Sequence, residues 1–235
     1  MRANHLQDIA VLFFANSAME DARQKKFFGE PSLFKALSEQ TLKTIKASGL
    51  PFFHFSDTEQ KGANFGERFA HAIQAIIELG FSKVITVGND SPNLSKQHID
   101  KAALQLSQGN SVVGPSKDGG CYLIGIHASD FHMEDFVALP WQTSSLRKAL
   151  NLFILAKGRS VRQLNLLDDI DSISDLKRLS NFVRQVGLKL LQLFSNICST
   201  TKHVFEIDFL SSQLHFSNIP FNKGSPLGFA ASRIQ

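Results

Sequence analysis

Three acidic loops hold the residues best suited to chemistry. The first, Gly88-Asn89-Asp90-Ser91-Pro92, follows the β-branched run Lys83–Val87. A strand running into Gly-x-Asp-x-Pro places a carboxylate at the carboxyl edge of a sheet, where open α/β sheets bind ligands. Gly88 allows close approach of backbone to a ligand, and Pro92 sets the turn that follows. Asp90 can hold Mg²⁺ or Mn²⁺, hard cations that prefer oxygen and bridge to phosphates. It can equally form an Asx turn of its own. Asn89 and Ser91 flank it as substrate contacts.

The second loop holds Asp118-Gly119-Gly120, between the apolar runs Ser111–Gly114 and Cys121–Ile126. Asp-Gly between two such runs is a hairpin signal. Paired glycines also expose backbone N–H groups that can cradle an anion. Asp118, Gly119 and Gly120 are therefore candidates for metal, hydroxyl or acceptor contact. The third loop, Asp168-Asp169-Ile170-Asp171, sets three carboxylates within four positions. They repel one another unless a cation or a basic group offsets them, which makes Asp169 and Asp171 metal-ligand candidates. The same acids would also suit the N-terminus of the helix that Ser174 opens.

Weaker candidates surround these loops. Gly62-Ala63-Asn64-Phe65-Gly66-Glu67-Arg68 leads into an amphipathic segment, so Asn64, Gly66 and Arg68 are possible phosphate or ribose contacts at a helix start. The spacing is neither a P-loop nor GxGxxG. Trp141, the single tryptophan, either walls a pocket or packs in the core. The eight histidines show no HxxxH spacing, which argues against zinc. There is no Gly-x-Ser-x-Gly elbow, and Cys121, inside an expected strand, reads as an inert core thiol.

The elements that must position these residues alternate. Strands are expected at 9–15, 51–55, 83–87, 111–114, 121–126 and 161–166. Helices are expected at 31–48, 65–79, from Ser95 to about Gln108, from Thr143 or Ser144 to Lys157, and after Ser174. That order predicts a doubly wound, mainly parallel sheet with helices on both faces, a three-layer α/β fold. It covers residues 1–186. Residues 187–235 form an extension, with a helix near 188–198 and a strand or hairpin near 203–216 that could serve an oligomer interface.

Composition removes other classes. An apolar fraction of 43% over 235 residues is enough for a sizeable core. The net charge of +4 is scattered rather than gathered in a basic stripe, so nucleic acid is not an expected partner. No segment approaches the ~18 consecutive apolar residues of a membrane span. Two cysteines without a CxxC, and a start that lacks a secretory pattern, lead to the expectation of a cytoplasmic protein.

Taken in order, Gly62–Arg68, VGNDSPNLS (Val87–Ser95), VVGPSKDGGCYLIGI (Val112–Ile126), LPWQTS (Leu139–Ser144) and DIDSISDL (Asp169–Leu176) resemble a bacterial glycosyltransferase-like family, radical-SAM/selenodomain-associated transferase 1. They are also similar to the 2-phospho-lactate guanylyltransferases and, more distantly, to the molybdenum-cofactor guanylyltransferases. The resemblance spans about residues 8–180. It implies the nucleotide-diphospho-sugar transferase (GT-A) fold and a Mg²⁺- or Mn²⁺-dependent transfer from a nucleotide sugar or nucleoside triphosphate. By the same resemblance Asp90 is the metal-binding Asp, Asp118 lies by the sugar or acceptor, and Asp169 or Asp171 completes the metal site. One segment departs. Such proteins carry a Lys-x-Pro-x-x-Gly-x-x-Lys-Thr-Arg type loop after the first strand, whereas Ala15–Lys26 has no glycine and no Lys-Thr-Arg. Arg23, Lys25 or Lys26 is left to supply the positive charge. A non-catalytic nucleotide-sugar-binding or regulatory protein is the alternative this departure favours.

Overall fold

A computed structural model of the chain describes residues 8–25 and 31–170, together with Gln192, Leu193 and Ile197. All of them belong to one compact unit, Met1–Cys198; a second unit is Ser199–Gln235. Asp171, the helix after Ser174, the boundary at 186/187 and, apart from Gln192, Leu193 and Ile197, the 188–216 segments lie outside the described residues.

Six strands form one sheet: β1 (Ile9–Phe14), β2 (Phe52–Phe55), β3 (Lys83–Val87), β4 (Ser111–Pro115), β5 (Cys121–His127) and β6 (Val161–Gln163). Their spatial order is β2-β1-β3-β5-β4-β6. β5 alone runs against the others, pairing antiparallel with both β3 and β4. The reason is local. Residues 116–120 are too few for a crossover, so the chain must turn back on itself. The expected mainly parallel sheet is thus present, with one reversed strand.

Side-chain alternation explains the layers. Ile9, Val11 and Phe13 point to one face with Ile85 and Val87, and there they meet Ile45 of α2 (Pro31–Ser48) and Ile99 and Leu106 of α4 (Lys96–Ser107). Ala10, Leu12 and Val84 point to the other face. They meet Phe69, Ile73 and Ile76 of α3 (Phe65–Glu78), Phe136 of α5 (Met133–Val137), and Leu150 and Ile154 of α6 (Leu146–Ala156). The three layers expected from the pattern are therefore real. Two α-helices were not foreseen: α5, and α1 (Ala18–Gln24). α1 has a cap signal, Ser17-x-x-Glu20, and the Ser17 hydroxyl accepts from the Glu20 N–H.

β1 leads to β2 on one side of it, while β3 lies on its other side. This reversal between β1 and β3 opens a crevice at their carboxyl ends, the usual ligand position in such sheets.

α4 begins with a cap that carries a pH dependence. The Ser95 N–H donates to His98 Nδ1 at 3.1 Å, so that nitrogen must be unprotonated. Burial lowers the His98 pKa, and the nearby Lys101 charge lowers it further. A depressed histidine pKa contributes stability above the unfolded value, about 6.5, and loses it as pH falls through the folded value. The His98→Gln protein, which keeps a non-titrating acceptor at this helix position, should show a smaller fall in Tm between pH 7.5 and 5.5 than the wild type. Thermal melts across that range check it. His127 is lowered by burial as well and should keep part of the dependence in place.

Candidate functional site

The crevice is a cleft of about 360 Å³. Its walls come from the loops after β1, β3, β4 and β6, from α1, and from α3 with the segment around Trp141.

One half is acidic. Asp90, Asp118 and Asp169 all line it, each from a different strand-end loop. The β3 and β6 loops are tied directly, because the Ile170 N–H donates to the Asp90 carbonyl at 3.0 Å. Asp118 accepts from the Ser116 hydroxyl at 2.6 Å and from the Gly120 N–H at 2.9 Å. The carboxylate therefore closes its own turn and still faces the cleft. Asp169 is half-buried and accepts from the Ser91 hydroxyl. Burial pushes its pKa up to about 7, the hydroxyls of Ser91 and Ser116 oppose the rise, and the negative charges of Asp118 and Asp90 add to it. Three carboxylates that feel one another in a partly dry cleft form a site with an excess of negative charge. Among the described residues, no group of three His, Cys, Asp or Glu side chains stands close enough to cage a metal as arranged.

A cation already touches this cluster. Lys25 Nζ donates to Asp90 Oδ1 at 2.8 Å and to the Ile170 carbonyl at 3.0 Å. Lys25 closes α1, with its own N–H on the Asp21 carbonyl at 2.8 Å. The Asp21 carboxylate is buried and accepts from Asn89 Nδ2 at 2.9 Å and from Asn16 Nδ2 at 3.1 Å. Burial raises the Asp21 pKa, the Asn89 hydrogen bond counters it, and the Asp90 charge raises it again. Asp21 and Lys25 are one helical turn apart, so α1 presents both to the β3 loop.

The other half is apolar. Phe14, Phe65, Phe69 and Trp141 line it, with Ile124 and Leu146. Trp141 lies 5.8 Å from Phe65, 5.2 Å from Phe69 and 4.8 Å from Phe136, ring centre to ring centre. Its Nε1–H donates to the Phe136 carbonyl at 2.8 Å, so the indole offers the cleft only its apolar surface. Arg68 is the cation at this wall. Gln142, beside Trp141, holds φ 59°, an uncommon conformation for a residue with a side chain.

Of the residues singled out in the sequence, Gly88, Asn89, Asp90, Ser91, Arg68, Asp118, Gly120, Trp141 and Asp169 line the cleft. Among the other described candidates, Asn64, Gly66, Pro92 and Gly119 do not line it. Asn64 caps α3, accepting from the Glu67 N–H at 2.9 Å. Gly66 seats the tryptophan: a Cβ there would lie 2.6 Å from Trp141 Cδ1. The Pro92 carbonyl accepts from Gln40 Nε2 at 2.6 Å, tying the Asp90 loop to α2. Gly119 packs on the Ser144 backbone. Arg23 is elsewhere, exposed and paired to Glu20 at 2.8 Å; Lys26 lies outside the described residues, and Lys25 enters the cleft. Cys121 lines the cleft, yet burial pushes its thiol up to about 12, which leaves it unreactive. Asn16, Asp21, Phe65, Ser116 and Gln142 were not foreseen. The Ser17-x-x-Glu20 cap would have revealed α1, and with it Asp21 and Lys25.

A family model described as "Uncharacterized protein conserved in bacteria (DUF2064)" matches residues 30–143, a stretch that includes Asp90, Asp118 and Trp141. No curated protein matches the chain. A candidate nucleotide-diphospho-sugar transferase from Desulfovibrio desulfuricans G20 superimposes with a TM-score of 0.68 over 81% of this chain and 95% of its own, at 21% identity. Rv0371c from Mycobacterium tuberculosis H37Rv is similar at a TM-score of 0.44 and 14% identity, over 73% and 96% of the two chains. A CMP:2-keto-3-deoxy-manno-octonic acid synthetase complexed with CTP also reaches 0.44, at 9% identity, over 75% and 98%. The last two are too remote to add to the first, which establishes the nucleotide-diphospho-sugar transferase type of fold.

Proposed function

We propose that this chain transfers a group from a nucleotide-activated donor, glycosyl or nucleotidyl, to an acceptor oxygen. One observation carries the reading. Asp90, Asp118 and Asp169 reach a single cleft at the reversal point of the sheet, from three separate strand-end loops. In that cleft Gly88 and Gly120 leave backbone close to a ligand, and Arg68 offers a guanidinium with no ion pair among the described residues. The aromatic wall suits a flat or apolar part of the donor or acceptor.

The donor set fits Mg²⁺ or Mn²⁺ by its chemistry, since carboxylate oxygens are hard ligands. The Lys25 ammonium, already seated on Asp90, stands in for such an ion. Asp90 and Asp169 are the residues that would hold the metal. When bound, it would neutralise the diphosphate leaving group. The chain's own residues do the rest. Asp118, held by the Ser116 hydroxyl and the Gly120 N–H, would accept a proton or hydrogen bond from the acceptor hydroxyl. Arg68 binds phosphate, and Trp141 with Phe65 excludes water from one side of the cleft.

A thermal-shift panel of nucleoside diphosphates, triphosphates and nucleotide sugars, with and without Mn²⁺, tests this. At least one compound should raise the Tm of the wild type, because a ligand of the folded state alone stabilises it by mass action. It should fail to do so in Asp90→Ala. A second reading, a non-catalytic nucleotide-sugar-binding protein, is favoured by the departure in Ala15–Lys26; binding without product from any labelled donor would select it.

A further inference from the structure

The contact between Lys25 and Asp90 joins parts of the chain 65 positions apart, and its surroundings set it apart from an ordinary surface pair. Among the described residues its receptor includes two oxygens from two loops, Asp90 Oδ1 and the Ile170 carbonyl, and those loops are themselves hydrogen-bonded. The lysine is delivered by a second set of bonds: the Lys25 N–H to the Asp21 carbonyl, and Asn89, the neighbour of Asp90, to the Asp21 carboxylate. The Lys25 side chain is 23% exposed and that of Asp90 44%, so the pair stands at the cleft surface with the lysine side chain largely covered.

We propose that Lys25 is a built-in counter-cation that keeps free divalent metal off Asp90, so that metal and the donor's phosphates enter together. This deepens the function proposed above and rests on it for the identity of the anion. Charge balance supplies the reason. A divalent ion arriving alone must break the Lys25–Asp90 bond and leave an ammonium beside a doubly charged metal, both positive and only a few ångströms apart. An arriving diphosphate changes this, because it gives the released ammonium and the metal a shared anionic partner. Metal and diphosphate then each strengthen the binding of the other by the same factor.

The test needs no turnover. Mn²⁺ alone is titrated into wild type, Lys25→Met and Lys25→Arg, and the titrations are repeated with inorganic pyrophosphate present. In wild type, pyrophosphate should tighten Mn²⁺ about tenfold or more, and Lys25→Met should gain about tenfold in affinity for Mn²⁺ alone, each the equivalent of about 1.4 kcal/mol. Lys25→Arg, which keeps the charge, should behave as wild type and shows that the methionine effect is not one of misfolding. Equal Mn²⁺ affinity in wild type and Lys25→Met would overturn the proposal. If the Mn²⁺ contrast holds while no nucleotide compound binds, the donor reading fails and the occupancy of Asp90 by Lys25 stands.

Discussion

Asp118→Asn should slow group transfer by about 10²–10⁴-fold, the usual contribution of a positioned acid or base, and leave the melting temperature nearly unchanged. The two effects separate because the residue does two jobs with different chemistry. As a turn residue it needs one oxygen, which accepts from the Ser116 hydroxyl at 2.6 Å and from the Gly120 N–H at 2.9 Å. The asparagine carbonyl can accept both. As a participant in transfer it needs a negative charge beside the acceptor hydroxyl, and the amide has none. Asp118→Ala loses both jobs and should also destabilise the hairpin. Steady-state rates and melts of the two variants check this. An Asp118→Asn protein with wild-type turnover would leave Asp118 as a turn residue only.

Gly119→Ala is the change expected to harm the fold most among the cleft loops. Gly119 holds φ +94°, where a side chain is strained. An added Cβ would sit 2.5 Å from the Ser144 carbonyl oxygen and 2.9 Å from Ser144 Cα. These are backbone atoms just before α6, so no rotamer change relieves them. The Gly119 carbonyl also accepts from the Arg147 N–H at 3.3 Å, so moving the turn disturbs the start of α6. Backbone strain and overpacking together should cost about 3 kcal/mol, a fall in Tm on the order of 10 °C for a chain of this size. Gly120→Ala makes a useful contrast. Its Cβ would meet the Asp118 carboxylate and the Ser116 hydroxyl at 3.2 Å, side-chain atoms that can yield. It should therefore disturb Asp118 more than the fold. Differential scanning calorimetry of both variants checks the ranking; equal Tm values for Gly119→Ala and wild type would contradict the geometry.

Much of the architecture was legible because burial imposes a period. Ile9–Phe14, Lys83–Val87 and Cys121–His127 are covered on both faces and read as continuous apolar runs. α3 shows its buried stripe at Phe69, Ile73 and Ile76. α1 was hidden because among its residues only Asp21 is buried, so no apolar stripe marks it. The direction of β5 follows from turn length, as the Asp118-Gly119-Gly120 hairpin signal allowed. A turn role and a place in the cleft do not exclude each other, since the same turn also lines the cleft. Asp90, Asp118 and Asp169 could be picked out as cleft acids because each follows a strand, whereas Asp21 could not. Their cation was narrowed only to Arg23, Lys25 or Lys26, since Lys25 reaches Asp90 through α1, and the bond between Asp21 and Asn89 links segments 68 positions apart. Gly66 shows the opposite error. Two glycines before a helix suggested a ligand contact, whereas the missing side chain makes room for Trp141.

The central claim is that the acidic half of this cleft receives a nucleotide-activated donor. Calorimetric titration of the stabilising nucleotide compound, in Mn²⁺, into wild type and Asp90→Ala tests it most directly. The account predicts one site per wild-type chain and a loss of affinity on the order of 100-fold in Asp90→Ala, as expected when the only acid of the β3 loop is removed from a site built on hard oxygen ligands. Unchanged affinity in Asp90→Ala, with both proteins folded, would contradict it.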